Sequence, residues 1–185
     1  MKHLKPKVIL VTDGDQVAVK SLELVAKKVG GRCISASGGN PTSLTGSQII
    51  ELIKETPYDP VLVMLDDKGN NCKGKGEEAL EYILRSSEIE VLGVVAVASN
   101  TEGTKGVNID FSITRSGNIV NQAVDKHGVL KKEKYSVLEG DTVDVLNDLE
   151  VPVIVGTGDI GKMDGADILK KQSPVTTKAI EEILI

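Results

Sequence analysis

The chain has 185 residues, a length that suits one substantial hydrophobic core rather than two. Its 40% of hydrophobic residues is typical of a globular protein, whereas its 2% of aromatic residues argues against stacking platforms for single-stranded nucleic acid. The net charge of −5 also disfavours a general binder of the phosphate backbone, so nucleic acid is not an expected partner.

The cysteines and the amino terminus indicate a reduced, intracellular protein. Cys33 and Cys72 lack metal-ligand spacing, and no disulfide framework is indicated. The basic amino terminus leads into an apolar run of only four residues, which is too short for a signal peptide or a membrane helix. We therefore expect a cytoplasmic protein with no transmembrane segment, whose membrane association, if any, depends on a partner.

The first half of the chain alternates apolar runs with amphipathic segments. Residues 8–11 form a wholly apolar run, which predicts a strand buried on both faces of a parallel sheet. Asp15 is placed to cap the first helix, and Thr45 and Gln48 have the spacing of a capping box. The predicted strands cover 8–11, 32–36, 61–65 and 91–98, and the predicted helices between them cover 16–29, 46–54 and 77–85.

The second half begins with a change of period. Residues 108–114 alternate strictly, with Asp110 and Ser112 on the polar side, and a second extended run follows over 119–124. This pattern predicts an antiparallel β-hairpin insertion over 107–130 with one solvated face. Three further elements complete the prediction: a short helix over 141–149, a buried strand over 151–155, and a last helix that starts at Pro174 after the N-cap Ser173.

The alternation of strands and helices predicts a single α/β domain over residues 1–185 with a mainly parallel sheet. The expected architecture is three-layered, either Rossmann-like or Toprim-like, with right-handed crossovers. Because the carboxyl ends of parallel strands lie on one edge of the sheet, the polar residues that follow each strand should converge there.

Four aspartates follow two of these strands, and they are the sharpest chemical signal. Asp13 and Asp15 come after the first strand, and Asp66 and Asp67 come after the third. If these strands are neighbours, the carboxylates can share a hard divalent cation such as Mg²⁺, which needs only one or two of them and keeps its waters. The alternative is that they are helix caps and turn residues, which use the same side chains.

The acidic pattern resembles the Toprim site of topoisomerases, primases and small nucleases over about residues 7–84. It departs from that site in two respects. Asp13 stands where the family has Glu, and Asp66 and Asp67 are adjacent rather than separated by one residue. Adjacent side chains on an extended segment point to opposite sides, so the departure weakens the case for nuclease chemistry.

Two glycine-containing loops are candidate anion sites. The first loop covers residues 37–40. One interpretation of it is a backbone nest for a small carboxylate or phosphate, and the other is a turn with glycines at positive φ. The segment 156–162 fits both the dinucleotide fingerprint and most of a P-loop, but Met163 replaces the hydroxyl residue that a P-loop needs. A tight turn is therefore favoured for the second loop. The candidate ligand-binding residues are Ser37, Gly38, Gly39, Asn40, Gly156 and Gly158.

Ordered segments along the whole chain resemble the stage V sporulation protein AE family, in its soluble form encoded with the spoVA genes of endospore-forming bacteria. The resemblance runs from about residue 7 to residue 185. The segments that carry it are 8–15, 31–35, 37–42, 56–60, 91–100 and 156–162.

The resemblance implies a role in sporulation, within the SpoVA system that moves dipicolinic acid, with calcium, into the developing spore and out of it in germination. It implies other SpoVA proteins as partners and dipicolinate as a candidate ligand, and its link to calcium adds Ca to the Mg that the aspartates suggest as the candidate metal. It also implies a place in the mother cell or forespore, peripheral to the spore inner membrane through partners. No catalytic residue is carried over, because the family has no established activity.

We therefore predict a non-enzymatic accessory protein of the SpoVA system. The rival hypothesis is an Mg²⁺-dependent enzyme of Toprim type that acts on a phosphodiester. His3 and His127 are the only histidines, one in the terminal tail and one in a predicted turn, so a Ser-His-Asp arrangement is not supported.

Overall fold

A computed structural model describes residues 4–69, 73–133 and 135–185 of the chain. Within these residues it contains nine β-strands and four α-helices. The strands are β1 (Lys7–Val11), β2 (Arg32–Cys33), β3 (Val61–Met64), β4 (Glu90–Val97), β5 (Val107–Asn108), β6 (Phe111–Ile113), β7 (Ile119–Val120), β8 (Val137–Leu138) and β9 (Ile154–Thr157). The helices are α1 (Gln16–Lys28), α2 (Gly46–Glu55), α3 (Lys75–Arg85) and α4 (Pro174–Leu184).

Seven of these strands form one sheet in the order β2-β3-β1-β4-β9-β6-β7. All neighbours in it are parallel except β6 and β7, which are antiparallel. The strands β5 and β8 pair separately as a small antiparallel sheet. This arrangement confirms the predicted α/β class with a mainly parallel sheet.

The sheet is buried on both faces, because its central strands consist of apolar residues in unbroken succession. On one face, alternate residues of β1, β3 and β4 pack with the apolar sides of α2 and α3. On the other face, the intervening residues of the same strands pack with α1 and α4. The result is the three-layer architecture that the sequence predicts.

The predicted helix starts are confirmed for α1 and α2. The side chain of Asp15 accepts the N–H groups of Val17 and Ala18 at the start of α1. At the start of α2, Thr45 and Gln48 form both hydrogen bonds of the capping box. Capping depends on neighbouring residues alone, and this is why the sequence predicts it well.

The second predicted strand, over 32–36, is shorter than expected. It ends at Cys33, and a 3₁₀ turn follows over Ser35–Ser37. The Ser37 hydroxyl donates to the carbonyl of Ile34 (2.6 Å), which closes the turn locally and ends the extended backbone.

The predicted helix over 141–149 is wrong in type and in extent. The structure has a 3₁₀ helix over Asp144–Asp148 instead. Thr142 has a φ of +64°, a left-handed conformation that cannot continue an α-helix. The carboxylate of Asp144 accepts the N–H groups of Lys105 and Gly106 rather than capping an α-helix.

The predicted strand over 151–155 lies too early in the sequence. The observed strand β9 is Ile154–Thr157, so the glycine at position 156 lies in the strand and not in the loop after it. Pro152 is exposed, and it has no N–H with which to join the ladder.

The hairpin prediction is confirmed in its pairing, since β6 and β7 are antiparallel. The observed hairpin differs from the predicted insertion because β6 also pairs in parallel with β9. The hairpin is therefore part of the main sheet. Ser112, which the alternation places on a solvated face, is fully buried. The second strand is also shorter than the predicted 119–124.

In the described part of the chain, no helix combines the length and the apolar character that a membrane crossing requires. Residues 70–72, in the segment between β3 and α3, lie outside the described residues. Cys72 and His3 lie outside them as well.

Candidate functional site at the carboxyl edge of the sheet

The topology places a crevice between the carboxyl ends of β1 and β4. From β1 the chain leads through α1 to strands on one side, and from β4 it leads to strands on the other. Ligand sites of open α/β sheets lie outside the strand ends at such a switch point. The Thr12 hydroxyl accepts the N–H of Val97 (2.9 Å) and holds the two strand ends together.

Asp13 lies in this crevice and is held by its own turn. Its Oδ1 accepts the N–H groups of Gly14 (2.7 Å) and Asp15 (3.3 Å). Burial raises the pKa of Asp13 to about 7, with a smaller contribution from the negative charges of Asp15 and Asp66. The structure thus places a carboxyl group that takes up a proton near neutral pH at the end of β1.

Asp15 has both a structural and an electrostatic contact. One oxygen caps α1, and the other accepts the ammonium group of Lys162 at 2.6 Å. Burial alone would raise the pKa of Asp15, but the hydrogen bonds from Lys162 and from the helix N–H groups outweigh it and lower the pKa. Asp15 is therefore an ionised residue that is already paired.

Asp66 and Asp67 diverge, as adjacent residues on extended backbone should. Asp67 turns toward α3, where its Oδ1 accepts the N–H of Gly76 (2.7 Å) and its Oδ2 accepts the N–H of Glu77 (3.0 Å). The Thr142 hydroxyl donates to the same Oδ2 (3.1 Å). Asp67 is thus a cap for α3 supplied by the loop after β3, and it is buried rather than part of a solvated turn.

Asp66 faces the crevice. Its Oδ1 accepts the N–H of Lys68 (2.8 Å), and the Gly14 backbone packs closely against its Cβ. Burial raises the pKa of Asp66 to about 6, and the charge of Asp141 together with a hydrogen bond to that residue also raises it. Asp66 and Asp141 are thus a hydrogen-bonded carboxyl pair, in which the charge of Asp141 disfavours the ionised form of Asp66.

Three residues of this cluster are part of the site although the sequence does not predict them as site residues. They are Asp141, Glu77 and Lys162. Asp141 reaches the site from the loop after β8 and accepts the N–H of Gly69. Burial raises the pKa of Glu77 to about 7, helped by the charges of Asp67, Asp144 and Asp141. Lys162 stands out in the sequence only as the lysine of the P-loop-like pattern over 156–162. The local sequence pattern does not predict the role of Asp141, because its contact with Gly69 joins residues 72 positions apart in the chain.

The loop 37–40 packs against the β1 turn. The Ser37 hydroxyl accepts the N–H of Met64 (2.9 Å), and the N–H groups of Gly38 and Gly39 donate to the carbonyls of Ser35 and Gly14. A Cβ on Gly14 would lie 2.5 Å from the Gly39 carbonyl oxygen, so this approach requires glycine at position 14. These amides are engaged within the protein, and Asn40 is exposed. The ligand-binding role of this loop stays a prediction.

The segment 156–162 packs closely against the turn at 126–128. A Cβ on Gly158 would lie 2.5 Å from the Gly128 nitrogen, and one on Gly156 would lie 2.5 Å from the Ser112 hydroxyl oxygen. The next element is a 3₁₀ turn over Met163–Gly165, whereas both phosphate-binding patterns require an α-helix there. The structure thus agrees with a tight turn, and Lys162 turns toward Asp15.

A cavity of about 360 Å³ adjoins the cluster. It is formed by the loop after β4 together with the turn near Lys126, and Lys131 and Glu139 line it as an ion pair at 2.6 Å. The Ser99 hydroxyl accepts the N–H of Asp141 (3.0 Å) and lies 2.9 Å from the Thr101 hydroxyl. Ser99 therefore connects the cavity to the carboxyl pair.

The arrangement as a whole combines ionisable carboxyl groups, lysines and hydroxyls at one edge of the sheet. Among the described residues, no group of three or more His, Cys, Asp or Glu side chains has an arrangement that could hold a metal ion. Asp13 and Asp66, at the ends of the neighbouring strands β1 and β3, can offer a cation at most two carboxylates.

Comparison with known proteins gave one match. The model of the family described as stage V sporulation protein AE1 matches residues 7–185, which is nearly the whole chain. No curated protein and no solved structure matches the chain.

Proposed function

The chain belongs to the stage V sporulation protein AE1 family, and we propose that it is a non-enzymatic accessory component of the SpoVA system for dipicolinic acid movement. Membership implies a role associated with sporulation, in that system. The observation that carries the proposal is the extent of the match, which includes all four helices and the complete main sheet. The partners we propose are other SpoVA proteins.

The contacts of the acidic residues support a role without catalysis. Asp67 is engaged on both oxygens by α3 and Thr142, and Asp15 is engaged by α1 and Lys162. Side chains held in this way are structural caps, and they lack the free coordination positions of a catalytic metal ligand.

The direct test is made in spores. In an endospore former whose own copy is deleted, we expect a lower dipicolinic acid content or slower release on germination, restored by the intact gene. The measurement is the dipicolinic acid in purified spores and in the germination medium. Content and release equal to those of the parent strain would contradict the proposal.

We also propose that Asp13 and Asp66 bind one hydrated Mg²⁺ or Ca²⁺ ion, with Asp15 and Asp67 supporting the loops that carry them. The support is that Asp66 is buried, Asp13 is partly exposed, and the charge of Asp66 disfavours the ionised form of Asp13, a repulsion that a cation would relieve. Calorimetric titration with Mg²⁺, Mn²⁺ and Ca²⁺ should show saturable binding that Asp66→Asn abolishes. Asp148→Asn, an exposed change of the same charge, should bind as the parent does, and flat traces for all three ions would refute the site.

The same samples separate the accessory role from the rival enzyme. Titration with calcium dipicolinate tests whether the cation site also takes the dicarboxylate. Cleavage of a phosphodiester substrate that requires Mg²⁺ and is lost in Asp66→Asn would establish the Toprim-type enzyme instead. An inactive protein that still binds the cation agrees with the accessory role.

A further inference from the structure

We propose that one face of this protein docks directly onto a membrane surface that carries anionic lipid headgroups. The face consists of lysines from α1 and from the 3₁₀ turn Leu169–Lys171 that precedes α4. We call it the lysine face, and its members are Lys20, Lys27, Lys28, Lys170 and Lys171. The inference goes beyond the proposed function, which specifies no surface, and it does not depend on it.

The fold brings the two lysine-bearing segments together. The ammonium group of Lys28, in the last turn of α1, donates to the carbonyl of Gln172 at 2.6 Å. This bond holds the turn with Lys170 and Lys171 beside the end of α1, although about 140 residues of chain separate them. All five lysine side chains are exposed.

The face has almost no compensating negative charge. In the part of the chain that the structure describes, none of the five lysines forms an ion pair with an acidic side chain. The one acid within α1 is Glu23, which accepts the Ser35 hydroxyl at 2.5 Å. Asp167, near the turn, is fully buried. The net charge of the whole chain is −5, so this concentration of positive charge is local.

Two exposed aliphatic residues suit this face to a lipid surface. Val17 of α1 is 38% exposed and Leu169 of the turn is 40% exposed, each near the lysines in sequence. Aliphatic side chains beside lysines can enter the headgroup region while the ammonium groups stay at the phosphates. A lysine near an anionic membrane contributes about 1 kcal/mol, or about a fivefold gain in binding. Five lysines are therefore enough for measurable association.

The test is cosedimentation of the full chain with lipid vesicles. We expect binding to vesicles of phosphatidylcholine mixed with phosphatidylglycerol, none to phosphatidylcholine alone, and release at high salt as the charges are screened. The double variant Lys170→Gln, Lys171→Gln should bind about 25-fold more weakly, as two contributions of about fivefold are lost. The matched control is Lys5→Gln, Lys105→Gln, which changes the net charge equally at two exposed positions elsewhere and should bind as the parent does.

The other outcomes overturn the proposal. Absence of binding to the anionic vesicles would refute it, and so would equal weakening in both double variants, which would indicate net charge rather than this face. Duplex DNA that binds more tightly than the vesicles through the same two lysines would assign the face to nucleic acid. Circular dichroism of each variant verifies that these surface changes leave the fold intact, and spores lacking the chain test the proposed function separately.

Discussion

At the scale of single residues, the carboxyl groups at the sheet edge differ because their contacts differ. Asp15 and Asp67 both cap helices, but only Asp15 has a lysine partner, and only its pKa is lowered. Burial and neighbouring acidic charges raise the pKa of Asp13 to about 7 and that of Asp66 to about 6, and the charge of Lys162 offsets only part of this rise for Asp13. Four aspartates of one sequence pattern therefore have two different chemical roles.

Asp13 should make the stability of the protein depend on pH. Its pKa is about 7 in the folded protein against an ordinary 3.8, so its protonated form contributes stability that is present below pH 4 and lost as the pH rises through 7. Asp13→Asn keeps the Oδ1 acceptor and removes the charge. We expect it to raise the free energy of unfolding by about 2 kcal/mol at pH 8 and to have little effect near pH 4.

Urea unfolding of both proteins at the two pH values measures this difference. Asp148→Asn removes an exposed charge and is the control, for which we expect no pH-dependent gain. A variant that is less stable than the parent at pH 8 would show that the Asp13 charge is compensated in the folded protein.

At the scale of elements, a carboxylate distant in sequence can cap a helix in place of the residue that precedes it. Ser173 stands at the N-cap of α4, but it has a φ of +46° and its buried hydroxyl makes no hydrogen bond. Asp167 takes over the capping. Its Oδ1 accepts the N–H groups of Val175 (2.9 Å) and Thr176 (3.0 Å), and its Oδ2 accepts the N–H of Gly161 (2.8 Å). Asp67 has the same role at α3.

Substitutions at Asp167 and Ser173 should therefore differ in their effect on stability. Asp167→Asn puts an amide donor where Gly161 donates, and we expect a loss of about 2 kcal/mol of stability. Ser173→Ala removes a hydroxyl without a partner, and we expect a change within about 0.5 kcal/mol or a small gain. Thermal and urea unfolding give both values, and a Ser173 variant as unstable as the Asp167 variant would contradict this assignment of the cap.

At the scale of the whole molecule, the two apolar cores share the same strands. Along β3, Val61 and Val63 pack toward α2 and α3, whereas Leu62 and Met64 pack toward α1 and α4. Loss of packing on one face therefore loosens the strands that the other face needs. This sharing supports the predicted single domain over residues 1–185, which stays a prediction.

We expect one cooperative unfolding transition, also when either core is weakened. Ile53→Ala on the α2 face and Leu22→Ala on the α1 face should each cost about 2–5 kcal/mol and keep a single transition. Calorimetry tests this, because the calorimetric enthalpy equals the van't Hoff enthalpy for a two-state protein. Leu184→Ala, at a position that is 37% exposed, is the control. Two separate transitions would indicate two domains.

The sequence by itself determined the features that depend on near neighbours. Apolar runs predicted the buried strands, the caps at Asp15 and Thr45 predicted two helix starts, and ordered segments along the chain predicted the family. The predictions of strands and helix starts succeed because strand burial and helix capping depend on a few consecutive residues.

Only the tertiary structure decided which distant residues meet. Lys162 reaches Asp15 across 147 positions, Thr142 reaches Asp67 across 75, and β6 joins the main sheet by pairing with β9. Distant contacts also explain why the predicted helix over 141–149 is wrong. Asp141 accepts the N–H of Gly69 and Asp144 accepts that of Lys105, and these contacts outweigh the local helical pattern. A local pattern contains no information on strand order, and strand order decides which loops share an edge of the sheet.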